Sequence, residues 1–306
     1  MSKSSNSFAI LILKGIFAGL LFVVGSILSG MLAGALHIAI PNFNPATANP
    51  QTMFLMFILA CPLLGLGLVP LAYGIRGSRT IRWLSLALFL FLCLAVNTVI
   101  EMRIFTIALA HGGAGALVAS FILPAILCAL LLASIGDRET NEPPVPVAVD
   151  QFFAAHSAAG WLWRFILAIF AFPLAYLIFG MMVAPFVLDY YRHGIAGLIL
   201  PPMSVILPTQ MVRSTLFLIA SLPFIVLWKK RRGSLIFSLG LAHWLVVGLF
   251  GLVQALWFPP VLRIAHSLEI GGDSFAYAAA IAFLLFPRGQ QTHVQHVAPV
   301  AHELPS

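Results

Sequence analysis

The run Arg263-Ile-Ala-His266-Ser-Leu-Glu269-Ile-Gly-Gly-Asp273 sets an imidazole and two carboxylates three and four residues apart in an otherwise apolar segment. On a helix these positions share one face, and Arg263 joins them. An imidazole beside a carboxylate can relay protons, hold a solute or ligate a metal ion. A charge deep in a membrane helix costs about 2.5–3.5 kcal/mol on insertion scales, so it faces a partner or a wet cavity. Glu101 and Arg103 continue a second apolar run, and Asp189-Tyr190-Tyr191-Arg192-His193 ends a third. We expect Glu101, Arg103, Arg192, Arg263, His266, Glu269 and Asp273 to converge as the ligand-binding lining of an outward-open pocket. Arg103 and Arg263 would meet anionic groups, while Glu101, Glu269 and His266 would set charge and protonation. The competing reading makes the same groups salt bridges that tie helix ends together. In a metal-binding variant, His37, His111 or His193 would complete a site begun by His266 and Glu269. HExxH is absent and an HxxE pair alone is a weak pattern, so no metal ligand is assigned. Catalytic residues and cofactors stay open. His243, alone in the middle of an apolar run, suits an interhelical hydrogen bond or a proton relay.

The elements that must position these groups follow from composition. Of 306 residues, 61% are hydrophobic and only 8% charged, against roughly 25% charged in a soluble domain. Eight segments, near 8–36, 52–74, 83–104, 114–135, 161–187, 209–228, 234–257 and 262–286, each reach about the 20 apolar residues a membrane helix needs. The expected fold is therefore all-α: a polytopic membrane protein of about eight transmembrane helices. The lipid bilayer is its first partner, and a small polar solute the second.

The net charge of +7 is concentrated in short loops, with Arg76, Arg79 and Arg82 in one and Lys229, Lys230, Arg231 and Arg232 in another. Short basic loops mark the cytoplasmic side, so the charge reads as topology and not as affinity for nucleic acid. Both termini fall on that side, in a plasma or inner membrane. The outer side carries Arg103, Arg192, Arg213 and Arg263 against Glu101, Asp189, Glu269 and Asp273. Four outer arginines oppose the usual bias, and equal opposite charge makes pairing the natural outcome.

The halves of the chain read as copies. Lys14, Ile16, Ala18, Phe22, Gly30, Met31 and Gly34 align with Arg164, Ile166, Ala168, Phe172, Gly180, Met181 and Ala184, while Gly112-Gly113, Ala119 and Ile122 align with Gly271-Gly272, Ala278 and Ile281. The expected organisation is two parallel four-helix repeats, 1–135 and 161–287. Between them 136–160 is an extended, Pro-rich cytoplasmic linker, and 288–306 is a disordered tail. Parallel repeats are related by an axis along the membrane normal and place their site where they meet. The outer stretch from Gly194 to Leu200 is apolar but too short to cross, which suits an interfacial or re-entrant turn. Ser26, Gly30 and Gly34, repeated in Gly180 and Ala184, have the spacing of a close helix contact. Trp83, Trp161, Trp163, Trp228 and Trp257 fall at span ends as interfacial anchors. Cys61, Cys93 and Cys128 lie within spans, as packing residues. Ala33-Gly34-Ala35 resembles a signal cleavage site, but its apolar run is too long for a signal core and is broken by Lys14.

These features favour binding or transport of a small polar or anionic solute between the repeats. The alternatives are a membrane enzyme acting on a lipid-linked substrate at the outer leaflet, and a structural subunit.

Overall fold

A computed structural model of the chain describes residues 8–39, 49–109, 112–135 and 144–287. The described residues are helical and contain no strand. Eight helices are long and apolar enough to cross a membrane: α1 Phe8–Ala35, α2 Pro50–Gly74, α3 Arg79–Phe105, α4 Ala114–Leu132, α6 Ala158–Arg192, α7 Met203–Val226, α8 Arg232–Gln254 and α9 Pro260–Leu285. The chain is thus a multi-pass helical membrane protein. The tail at 288–306, the start of the linker and His111 lie outside the described residues.

The rest of the linker is not extended. Residues Val145–Ala154 form a further short helix, α5. Proline misled the sequence expectation here, because its fixed φ and missing N–H suit the first helical turn. Ala148 and Phe152 face inward, Phe152 stacks on Trp161 with ring centroids 4.5 Å apart, and Ser157 then caps α6. Helix α6 also runs further, and α7 begins earlier, than their apolar stretches suggest.

Helix α1 packs against α2 and α4, and α6 packs against α7 and α9. Across the middle, α2 meets α8 and α3 meets α7. Both α3 and α8 contain a π-helical stretch, Phe91–Val96 and Trp244–Leu249, and these two stretches touch. A π-turn carries an extra residue, which rotates the face a helix presents and often accompanies a functional site.

The two basic loops meet at one end of the bundle. Ile75 and Trp228 form an antiparallel bridge, with Arg76 N–H donating to the Leu227 carbonyl at 2.9 Å and Lys229 N–H to that of Gly74 at 3.1 Å. Arg82 donates to the Ile135 carbonyl at 2.6 Å and Arg232 to that of Phe286 at 3.0 Å, so each closes the end of the last long helix in its half. Trp228 is not an interfacial anchor; it is buried against Gly74. A Cβ on Gly74 would lie 2.0 Å from the indole. Gly74→Val is expected to expel that ring, shift Trp emission to the red and lower stability by about 1–3 kcal/mol, the usual cost of overpacking. An unchanged spectrum and melt would contradict this packing.

At the opposite end, Thr106 bridges Leu198, Ile107 N–H donates to the Gly197 carbonyl at 3.1 Å and Ile199 N–H to that of Phe105 at 2.9 Å. The short apolar stretch after α6 is therefore a turn pinned to the end of α3. Val187, Leu198, Leu262 and Ala265 form a small second core that seats this turn between α6 and α9.

The glycine stripe needs correction. Gly30 and Gly34 have open space within 4 Å where a side chain would begin, among the described residues. The close contact lies nearer the basic end, where Gly15 and Gly19 of α1 meet Cys61 and Gly65 of α2. Gly180 does face a partner, because a Cβ there would stand 3.3 Å from Glu269 Oε1.

Candidate functional site

A cavity of about 1020 Å³ occupies the middle of the bundle, between its centre and the end opposite the basic loops. Both halves line it: α2, α3 and α4 from the first, α6, α7, α8 and α9 from the second. Its mouth is framed by Pro50, Ile107, Ala196, Gly197 and Trp257. Its floor is His243 and Tyr277, beneath which Phe89, Phe224, Leu239 and Trp228 are packed without exposure beyond 1%. The walls are mainly apolar and aromatic, the ordinary make-up of a small-molecule site.

Of the seven sequence candidates, the fold brings Glu101, His266, Glu269 and Asp273 onto this cavity. His266, Glu269 and Asp273 share a face of α9, as their spacing requires. His266 Nδ1 lies 2.6 Å from Glu269 Oε2, and its Nε2 lies 3.0 Å from the Tyr191 hydroxyl. An ionised carboxylate only accepts, so Nδ1–H donates and Nε2 is left to accept from Tyr191. The result is a Tyr191–His266–Glu269 relay near the mouth, with Tyr191 fixed by the small core beside it. Asp273 follows one turn deeper. It is 2% exposed, and its Oδ1 has no hydrogen-bond partner among the described residues.

The other three candidates are employed elsewhere. Arg103 donates to the Leu109 carbonyl at 3.0 Å and closes the end of α3. Arg263 donates to the carbonyls of Leu252 and Val253 at 2.8 and 3.1 Å, completing the last turn of α8. Arg192 pairs with Asp189 at 3.6 Å on the exposed surface. None of the three lines the cavity. Spacing along one helix predicts a shared face, but a long arginine can reach away from that face to a nearby loop or the end of a neighbouring helix.

The guanidinium that does line the cavity is Arg213, which the stripe on α9 gives no reason to select. Its Nε donates to Asn97 Oδ1 at 2.7 Å, Nη1 to Gln210 Oε1 at 2.8 Å, and Nη2 to Glu101. The rings of Phe172 and Phe217 cover it at 5.2 and 5.6 Å. The signal for it was present in Gln210 and Arg213, three apart on α7, facing Asn97 and Glu101, four apart on α3. No group of three or more His, Cys, Asp or Glu residues among the described ones is placed to hold a metal ion.

The relay gives a test of local stability. Glu269→Gln keeps an acceptor for His266 and is expected to melt like the native protein. His266→Ala leaves a buried carboxylate without its donor and is expected to cost about 1–3 kcal/mol. Equal melting temperatures for His266→Ala and the native protein would contradict the pairing.

Comparison with known proteins returns no match to a family model, a curated protein or a solved structure. The class this chain defines thus rests on its own residues: among the described ones, eight helices long and apolar enough to cross a membrane, around a polar-floored cavity.

Proposed function

We propose that this chain is an internally duplicated membrane carrier that binds a small polar solute in the central cavity and moves it across the bilayer. The cavity carries this reading: it lies between the halves, has buried charged and hydrogen-bonding groups, and ends at mid-bundle on His243. The duplication is supported by paired features. Each half has a π-helical third span, an arginine closing the end of its last span, and a first span packed on its second and fourth. The crossed contacts of α2 with α8 and α7 with α3 are those an axis along the membrane normal would generate. The repeats are then 1–135 and 161–287, and their interface is where such proteins bind solute.

On this reading the end of the bundle that carries the basic loops faces the cytoplasm, as do both termini, and the cavity mouth faces the outer side, in keeping with the bias of short basic loops. Arg76, Arg82 and Arg232 donate to backbone carbonyls at helix ends and in the facing loop, which supports topology and packing rather than nucleic-acid binding as the role of these charges. The anionic part of the expectation is dropped, because the arginines assigned to it sit outside the cavity.

A second reading is favoured by the Tyr191–His266–Glu269 relay. It could serve an enzyme acting on a lipid-linked substrate at the outer leaflet, with Tyr191 presented to the substrate. A carrier and a one-sided enzyme differ below His243. A carrier must open the packed region beneath it during its cycle, so Leu239→Cys is expected to react with an impermeant thiol reagent from the cytoplasmic side of inverted vesicles. Absence of reaction from both sides would favour the enzyme.

A further inference from the structure

Resting on the carrier reading, we propose that the solute is an organic cation with an apolar body, seated with its positive charge at Asp273. Of the three carboxylates on the cavity wall, one is without a partner among the described residues. Glu101 is paired with Arg213, whose three nitrogens are all occupied, and Glu269 accepts the Nδ1–H of His266. Asp273 is 2% exposed, lines the cavity and has Oδ1 unpartnered among the described residues. From a different helix, His243 supplies a second such group. Its Nδ1 is engaged with the Leu239 carbonyl at 3.0 Å, so Nε2 remains an acceptor, and it too is buried, unpartnered and on the lining.

Both unfilled buried atoms on the lining are therefore acceptors. What they lack is a donor, and Asp273 in addition lacks a positive charge. A water molecule would supply hydrogen bonds but leave the charge unbalanced, and a proton would leave the volume empty. An anion would meet three carboxylates and no free guanidinium. The remaining wall suits a cation with apolar substituents: Tyr176, Phe250, Trp257 and Tyr277 present aromatic rings, whose faces attract positive charge most strongly where water is excluded. A volume of about 1020 Å³ accommodates a drug-sized body.

The test uses two probes of matched shape and opposite charge, tetraphenylphosphonium and tetraphenylborate, in equilibrium dialysis against the full chain in lipid nanodiscs. Saturable binding is expected for the phosphonium and not for the borate. Asp273→Asn is expected to weaken phosphonium binding at least about thirtyfold, the low end for removing one partner of a buried charge pair. Equal saturable binding of both probes, no saturable binding of the phosphonium, or a folded Asp273→Asn protein that binds it like the native one would each overturn the proposal. The comparison of probes on the native chain decides the matter even where the variant does not fold.

Failure here is separable from failure of the carrier reading. A cysteine in place of Thr98, on the cavity wall, reports whether the cavity opens to the outside. If it reacts from the outer side and phosphonium gives no protection, the cation assignment falls and the cavity stands. If it does not react, the carrier reading itself falls.

Discussion

Arg213→Ala is expected to destabilise the bundle by about 1–3 kcal/mol, less than the loss of a partner from a fully buried ion pair, because Glu101 is 32% exposed on the cavity wall. Arg213 is 4% exposed at the junction of α3 and α7 and engages Asn97, Gln210 and Glu101 together. An interhelical hydrogen bond in a bilayer averages only about 0.6 kcal/mol, and the charged donor of the Asn97 bond raises that about twofold, so this bond alone does not account for the loss. The loss comes from three hydrogen bonds of one charged group removed together, while Glu101, left without a counter-ion, is partly relieved by its exposure on the cavity wall. Arg213→Lys keeps the charge but reaches as a single point, so it is expected to recover part of the stability. Removing Glu101 and Arg213 together should cost less than the two single losses added, because neither charge is then left alone. Thermal unfolding in detergent reads the native protein and all four variants. An Arg213→Ala protein as stable as the native one would show that the guanidinium is held for the solute and not for the fold.

Gly65→Leu is expected to prevent assembly of the first half, while Gly30→Leu and Gly34→Leu leave it intact. A Cβ on Gly65 would lie 1.9 Å from the Gly15 carbonyl oxygen, and one on Gly19 would lie 2.3 Å from that of Cys61. Both obstacles are backbone, which cannot turn aside as a side chain can, so the helices must separate. Small residues at such a crossing supply the close packing that holds membrane helices together, since lipid tails compete equally for apolar side chains. Overpacking in cores costs about 1–3 kcal/mol where side chains can yield, and a backbone clash of this depth exceeds that. The yield of monodisperse protein after detergent extraction separates the outcomes. Full yield for Gly65→Leu, or loss for Gly30→Leu, would place the crossing elsewhere.

The sequence made the eight spans legible because long apolar runs have few other uses, and the shared face of His266, Glu269 and Asp273 followed from helical period alone. What it hid depends on facts beyond one helix. The destinations of Arg103 and Arg263 are backbone carbonyls of a loop and of a neighbouring helix end, which spacing does not reveal. The importance of Gly15 and Gly19 over Gly30 and Gly34 rests on where two helices cross, and both pairs share the same spacing. Helix α5 was masked by prolines that serve as helix starts. The role of Arg213 required Asn97, Glu101 and Gln210 to meet from two helices more than a hundred residues apart.

The central claim is that a water-reached cavity lies between the halves, open to the outer side. Its most direct test is Thr98→Cys in the otherwise native chain, labelled on intact cells with a membrane-impermeant thiol reagent. Cys61, Cys93 and Cys128 are buried and off the cavity wall, so the native protein provides a silent background. Rapid labelling of Thr98→Cys from outside, with none of the native chain, is the expected result. A Thr98→Cys protein that folds and stays unlabelled would contradict an open cavity, and the charged groups around it would then be an ion-pair lock between helices.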